Sequence, residues 1–202
     1  MSARIGVYLE VGAKRVFASA ADWPGWSRTD KDESKALEKL ALYASRYARV
    51  VRLARIDFPK GATDFDVLER AKGSATTDFG APGIPAERES KPVTKKQLER
   101  MVALLDACWK YLDQVVARAP QELRKGPRGG GRDRDKMYAH VLESEWGYSR
   151  MIGVRLEAPD RTALRAGLLN AGADTKWPVP YAIRRIAWHA LDHAWEMEDR
   201  LP

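Results

Sequence analysis

The chain has 202 residues, 45% of them hydrophobic, enough to bury the core of one ordinary domain or two small ones, and it holds no apolar run of about 18 residues that would cross a membrane. Its net charge is +7, but seven basic residues against three acids fall between Arg118 and Lys136, so much of the excess is one basic loop and nucleic acid is not the expected partner. A single cysteine, Cys108, excludes an internal disulfide framework; beside Trp109 it reads as a small buried hydrophobe, in a chain expected to be cytoplasmic.

The start, MSARIGVYLEVGAKR, has a strand-like pattern and is not expected to be a signal peptide. Residues 3–9 and 15–20 read as two strands joined by a turn at Gly12-Ala13-Lys14. Asp22-Trp23-Pro24-Gly25-Trp26 is a turn. From Asp30 or Lys31 to Ala48, apolar residues recur at helical spacing, and Asp30 or Asp32 is the expected cap. Residues 50–56 suggest a third strand, and 66–70 fit a strand or a helix.

The run RVFASAADWPGWSRTDKDESKALEKLALYASRYARVV resembles the HicB-like fold: a hairpin, a Pro-Gly turn with an aromatic after it, then an amphipathic helix. The resemblance covers about the first quarter of the chain. It implies a small β-α unit, related in shape to double-stranded-RNA-binding domains; no DNA-binding appendage of that family accompanies it.

Residues 72–92 are rich in Gly, Ser, Thr and Pro and read as a linker or long irregular loop. Asp78-Phe79-Gly80 lies within it without the companion motifs of a kinase, so loop is the reading. From Val93 the texture is helical. Thr94 caps a helix to about Arg118, Lys125 to Arg132 form a flexible loop, and a second helix runs from about Asp133 to Val154. Pro159 and Asp160 open a third helix that ends near Gly172, and Pro178 and Pro180 introduce the fourth. The expected architecture is α+β: a small β-α domain over 1–71, a linker over 72–92 and a four-helix bundle over 93–202.

The chain has only three histidines. His189 and His193 are four residues apart, which places them one above the other on one helix face. His140 lies on another predicted helix that can pack opposite. Three imidazoles suit a divalent metal and leave at least one coordination position open, as a catalytic site requires. Bundle packing or surface placement is the competing explanation of such a pair.

From about Lys95 to Arg200 the sequence resembles the DinB-like metal-binding four-helix bundles, which carry one histidine on the second helix and a His-x-x-x-His pair on the last. His140 within AHVLESE, and His189 and His193 within WHALDHAWE, fill those positions. The resemblance implies a divalent metal, zinc or nickel or else iron, and a low-molecular-weight thiol activated for transfer or isomerisation. Members often carry a glutamine three residues after the second histidine of the pair, where this chain has Glu196.

Around such a metal, Arg185 is placed to hold an anionic substrate group, and Glu196 and Glu143 to orient a ligand or accept a proton. The same positions also suit a salt-bridged bundle surface. Asp192 would orient an imidazole or face water, and Trp188 and Trp195 would wall the pocket. Arg128 and Arg132, flanking Gly129-Gly130-Gly131, would attract a carboxylate or phosphate near the bundle mouth. The expected function is metal-dependent thiol transfer or hydrolysis on a small electrophilic substrate. The alternative is a non-catalytic metal-binding protein or a protein- or RNA-binding scaffold. Homodimerisation suits such bundles, and no membrane partner is expected.

Overall fold

The opening hairpin forms where two β-prone runs flank a tight turn. Strand β1 (Ile5–Val11) pairs antiparallel with β2 (Val16–Ala20), Val11 opposite Val16 and Val7 opposite Ala20. In the computed structural model, which describes residues 4–126, 131–172 and 174–202, this hairpin is the centre of an α+β fold with four strands and seven helices among those residues. The strand order is β3-β2-β1-β4: β3 (Ser27–Asp30) runs antiparallel to β2, and β4 (Phe65–Lys72) runs parallel to β1.

Both faces of the hairpin are buried. Val7, Leu9, Ala18 and Ala20 join the main apolar core, while Tyr8, Glu10, Phe17 and Ser19 share the opposite face. Helix α1 (Glu33–Leu42) packs on β2 and β3 and is capped by the Asp32 carboxylate, which accepts the Lys35 N–H. The single helix expected to Ala48 breaks at Tyr43 and restarts as α2 (Ala44–Leu53).

The strand expected over 50–56 is therefore corrected: those residues end α2 and form the turn after it. Ala44, Tyr47, Val50 and Val51 are buried at helical spacing, and α2 packs on the long helix that follows, so tertiary burial overrides the β preference of the two valines. Ser27–Asp30 supplies the strand instead, and the ambiguous 66–70 belongs to β4.

The stretch 72–92 is built as a strap rather than an irregular loop. Ser74 and Thr77 form a capping box at the start of α3 (Ala75–Phe79), and a 3-10 turn spans Glu87–Ser90. Asp78 accepts backbone N–H bonds from Ala13, Lys14 and Arg15, which ties the strap to the hairpin turn. Buried Glu10 accepts from the Thr77 hydroxyl and from the N–H groups of Gly83 and Ile84, at 2.9 and 3.2 Å for the last two.

Four helices complete the chain: α4 (Lys95–Arg118), α5 (Arg134–Ser149), α6 (Arg161–Asn170) and α7 (Val179–Asp199). Thr94 and Gln97 form the capping box of α4, and Asp160 caps α6. The long pair α4 and α7 pack on each other; α5 rests on α7, α4 and α6. Pro24-Gly25 wedges between α4 and α7: Gly25 has φ +92, and a Cβ there would stand 2.9 Å from Leu191 Cδ1 and 3.1 Å from Cys108 Sγ. One apolar core therefore runs from Ile5 of the sheet to Met197 of α7. No helix of the described residues is long and apolar enough to cross a membrane.

Candidate metal centre

Helix α7 starts behind Pro178 with Pro180 in its first turn, where a missing N–H costs nothing. Ile183, Ile186, Ala187, Ala190, Leu191 and Ala194 are buried, so packing fixes the rotation of the helix. That rotation turns His189 and His193 toward α5, whose middle carries His140. The ring centroids lie 5.1 Å apart for His140 and His189, 5.3 Å for His140 and His193, and 4.7 Å for His189 and His193.

One ligand atom from each ring can be chosen so that all lie within 4.8 Å of one another. His189 Nε2 and His193 Nε2 are 3.2 Å apart. Two nitrogens bound at about 2.1 Å in a tetrahedral arrangement stand about 3.4 Å from each other. The pair is thus spaced for one metal ion.

The electrostatics suit the same task. Burial, then the neighbouring His193 and His140 rings, push His189 down to about 2, so it is a neutral imidazole with a free lone pair at ordinary pH. Burial and the Arg132 guanidinium also lower His140. His193 Nδ1 lies 3.2 Å from Glu196 Oε2, and Glu196 Oε1 accepts from Arg200 at 2.8 Å. A carboxylate on the far nitrogen of an imidazole holds its ring and tautomer while the near nitrogen faces a metal. The bond with His193 also holds the Glu196 carboxyl below its ordinary range. His189 Nδ1 is buried with no hydrogen-bond partner among the described residues.

The other expected residues divide. Arg185 is near: it donates to the Pro82 carbonyl at 2.8 Å, contacts Trp188 and Tyr148, and its charge reaches His189. Glu143 is exposed on α5, and its carboxylate acts on His140 through space rather than by a hydrogen bond. Arg132 is exposed at the start of α5, with its carbonyl accepting from Arg200. Arg128, with Gly129 and Gly130, lies outside the described residues. Trp188 lies against His189 at 5.9 Å between centroids, backed by Phe17 of the sheet. Trp195 faces the other way, under Arg28 and Tyr43. Cys108 is buried, and burial pushes its thiol up, away from reactivity.

Asp192 neither orients an imidazole nor faces water alone: it pairs with Arg28 of β3. Arg28, Tyr148 and Arg200 are the residues that sequence reasoning missed. Arg28 sat in a segment read as the approach to a helix, and nothing in its local pattern marks a partner 164 residues away.

No known protein family, curated protein or solved structure matches the chain at a significant level.

Proposed function

We propose that the chain is a metal-dependent enzyme in which His140, His189 and His193 hold one divalent ion, zinc or nickel ahead of iron. The observation that carries this reading is the convergence of three imidazoles from two helices, their ligand atoms within 4.8 Å, with the most buried of them kept neutral. The resemblance of the helical half to DinB-like bundles supports it; the resemblance of the first quarter to HicB-like units bears on the proposed fold of the β-α part alone. Such an ion, when bound, supplies a Lewis-acidic centre that brings the pKa of a coordinated water or thiol toward neutrality.

The chain's own residues do the rest. Glu196 fixes the His193 ring and is itself held by Arg200. Trp188 and Tyr148 flank His189 and exclude water from that side. Arg185 stands one turn before His189 and offers its guanidinium to an anionic group of the substrate. Thiol transfer to a small electrophile is the first reaction class and hydrolysis the second.

The test is turnover of a haloaromatic electrophile with a panel of small thiols, and of an activated ester without thiol, in protein loaded with zinc or nickel. The expected result is thiol-dependent turnover that disappears in His189→Ala. One equivalent of bound metal with no turnover of either substrate class would leave a non-catalytic metal-binding protein.

A further inference from the structure

A cavity lies beside Glu196, and none of the three histidines lines it. Its volume is about 670 Å³, within the range of small-molecule sites, and it opens between β3, α1 and the C-terminal turns of α7. Five cationic side chains line it, Arg28, Lys39, Arg124, Lys125 and Arg200, against the three carboxylates of Asp192, Glu196 and Asp199. We propose that this cavity binds a small molecule through a dianionic phosphate group.

The argument rests on which charges are already spent. Asp192 is taken by Arg28. Glu196 is shared between His193 Nδ1 and Arg200. Asp199 is claimed from outside the cavity by Arg46, at 2.8 Å. All three lining carboxylates are therefore neutralised. The remaining cations are lightly engaged: among the described residues the Arg124 side chain donates to the Asp199 carbonyl at 2.9 Å, Lys125 has Asp133 no closer than 3.9 Å, and Lys39 reaches the Thr29 carbonyl at 3.2 Å and Asp30 at 3.5 Å. Arg124 and Lys125 stand on the wall that follows α4, Lys39 on the opposite wall made by α1.

Among the described lining residues, five positive charges less three negative ones leave an excess of two; the outside partners Arg46 of Asp199 and Asp30 of Lys39 cancel each other, so that excess stands for a dianion to balance. A phosphate monoester presents three oxygens that can accept from both walls at once, and the volume leaves room for its organic body. None of the three histidines lines this cavity: His193 turns Nε2 toward His189 and Nδ1 toward Glu196, and it is Glu196 that stands between the two sites.

Calorimetric titration of the full chain with phenyl phosphate, and with phenyl sulfate as the monoanion of similar shape, tests the assignment. Saturable binding of phenyl phosphate is expected, roughly tenfold or more weaker for phenyl sulfate and for the Arg124→Ala/Lys125→Ala double variant, since each change removes charged hydrogen bonding to the phosphate. Lys39→Ala, on the other wall, should weaken it as well, and both variants should keep wild-type metal content. Absence of saturable binding at millimolar phenyl phosphate, equal affinity for the sulfate, or an unaffected double variant overturns the proposal. So does binding that is lost in His189→Ala and kept in the double variant, which would move the phosphate to the histidines.

Discussion

Arg184 and His189 lie on the same helix, both buried, and their surroundings are opposite. Arg184 donates to both oxygens of Glu89, at 2.6 and 3.0 Å, and to the Ile84 carbonyl at 3.1 Å, with the Tyr8 and Tyr181 rings beside its guanidinium. His189 faces the imidazoles of His193 and His140 and has no partner for Nδ1 among the described residues. A guanidinium cannot shed its charge, so burying it requires a counter-charge from the chain. An imidazole escapes the same penalty by staying neutral, and neutrality leaves a lone pair to offer. The chain pairs the first charge with a carboxylate, although Arg184 Nη1 has no partner among the described residues, and leaves the second ring uncharged; the first arrangement ties the strap to α7, and the second is the one proposed to take a ligand.

The most forceful way to break this comparison is Arg184→Ala. It strands the Glu89 carboxylate in the interior and should cost about 3–5 kcal/mol in urea unfolding, while metal bound per folded molecule stays unchanged. A loss below about 1 kcal/mol would show that the strap is not held by this pair.

Glu196→Gln acts on the open arrangement instead. It keeps the shape and removes the charge behind His193, so metal affinity should fall about 10- to 100-fold while the unfolding midpoint of the metal-free protein barely moves. Competition with a chelating dye reads the affinity directly. Unchanged affinity would reduce Glu196 to a surface partner of Arg200.

The smallest expected effect is at the strap's other end. Backbone N–H groups, that of Lys14 first, hold the Asp78 carboxyl below its ordinary value in the folded chain. In the unfolded chain it returns to about 3.9. Its contribution is therefore present above that pH and is lost as pH falls through the folded value. Asp78→Asn should lower the melting temperature slightly at pH 7, and the gap to wild type should close in acid. A gap that widens in acid would contradict the assigned bond.

Much of this contrast could be read in the sequence on one side only. The histidines are rare, and their four-residue spacing survives any small error in helix boundaries, so the convergence on α5 and α7 was accessible. Thr94, Asp32 and Asp160 were equally readable, because a cap is a local interaction. The strap was not. Its glycines, prolines and charges have loop composition, and only long-range partners show that Glu10 and Glu89 are buried. The pairing of Arg28 with Asp192 was hidden for the same reason, and Val50 and Val51 misled because β-branched residues on a packed helix face look like a strand.

The central claim is that the three imidazoles are one ligand set. Elemental analysis of the purified, untagged protein beside its His140→Ala variant tests it most directly. About one equivalent of zinc, nickel or iron in the wild type, lost in the variant, is the predicted result. No metal in the wild type after incubation with each ion, or an equal content in the variant, would contradict the account and return His140, His189 and His193 to the packing of the helices.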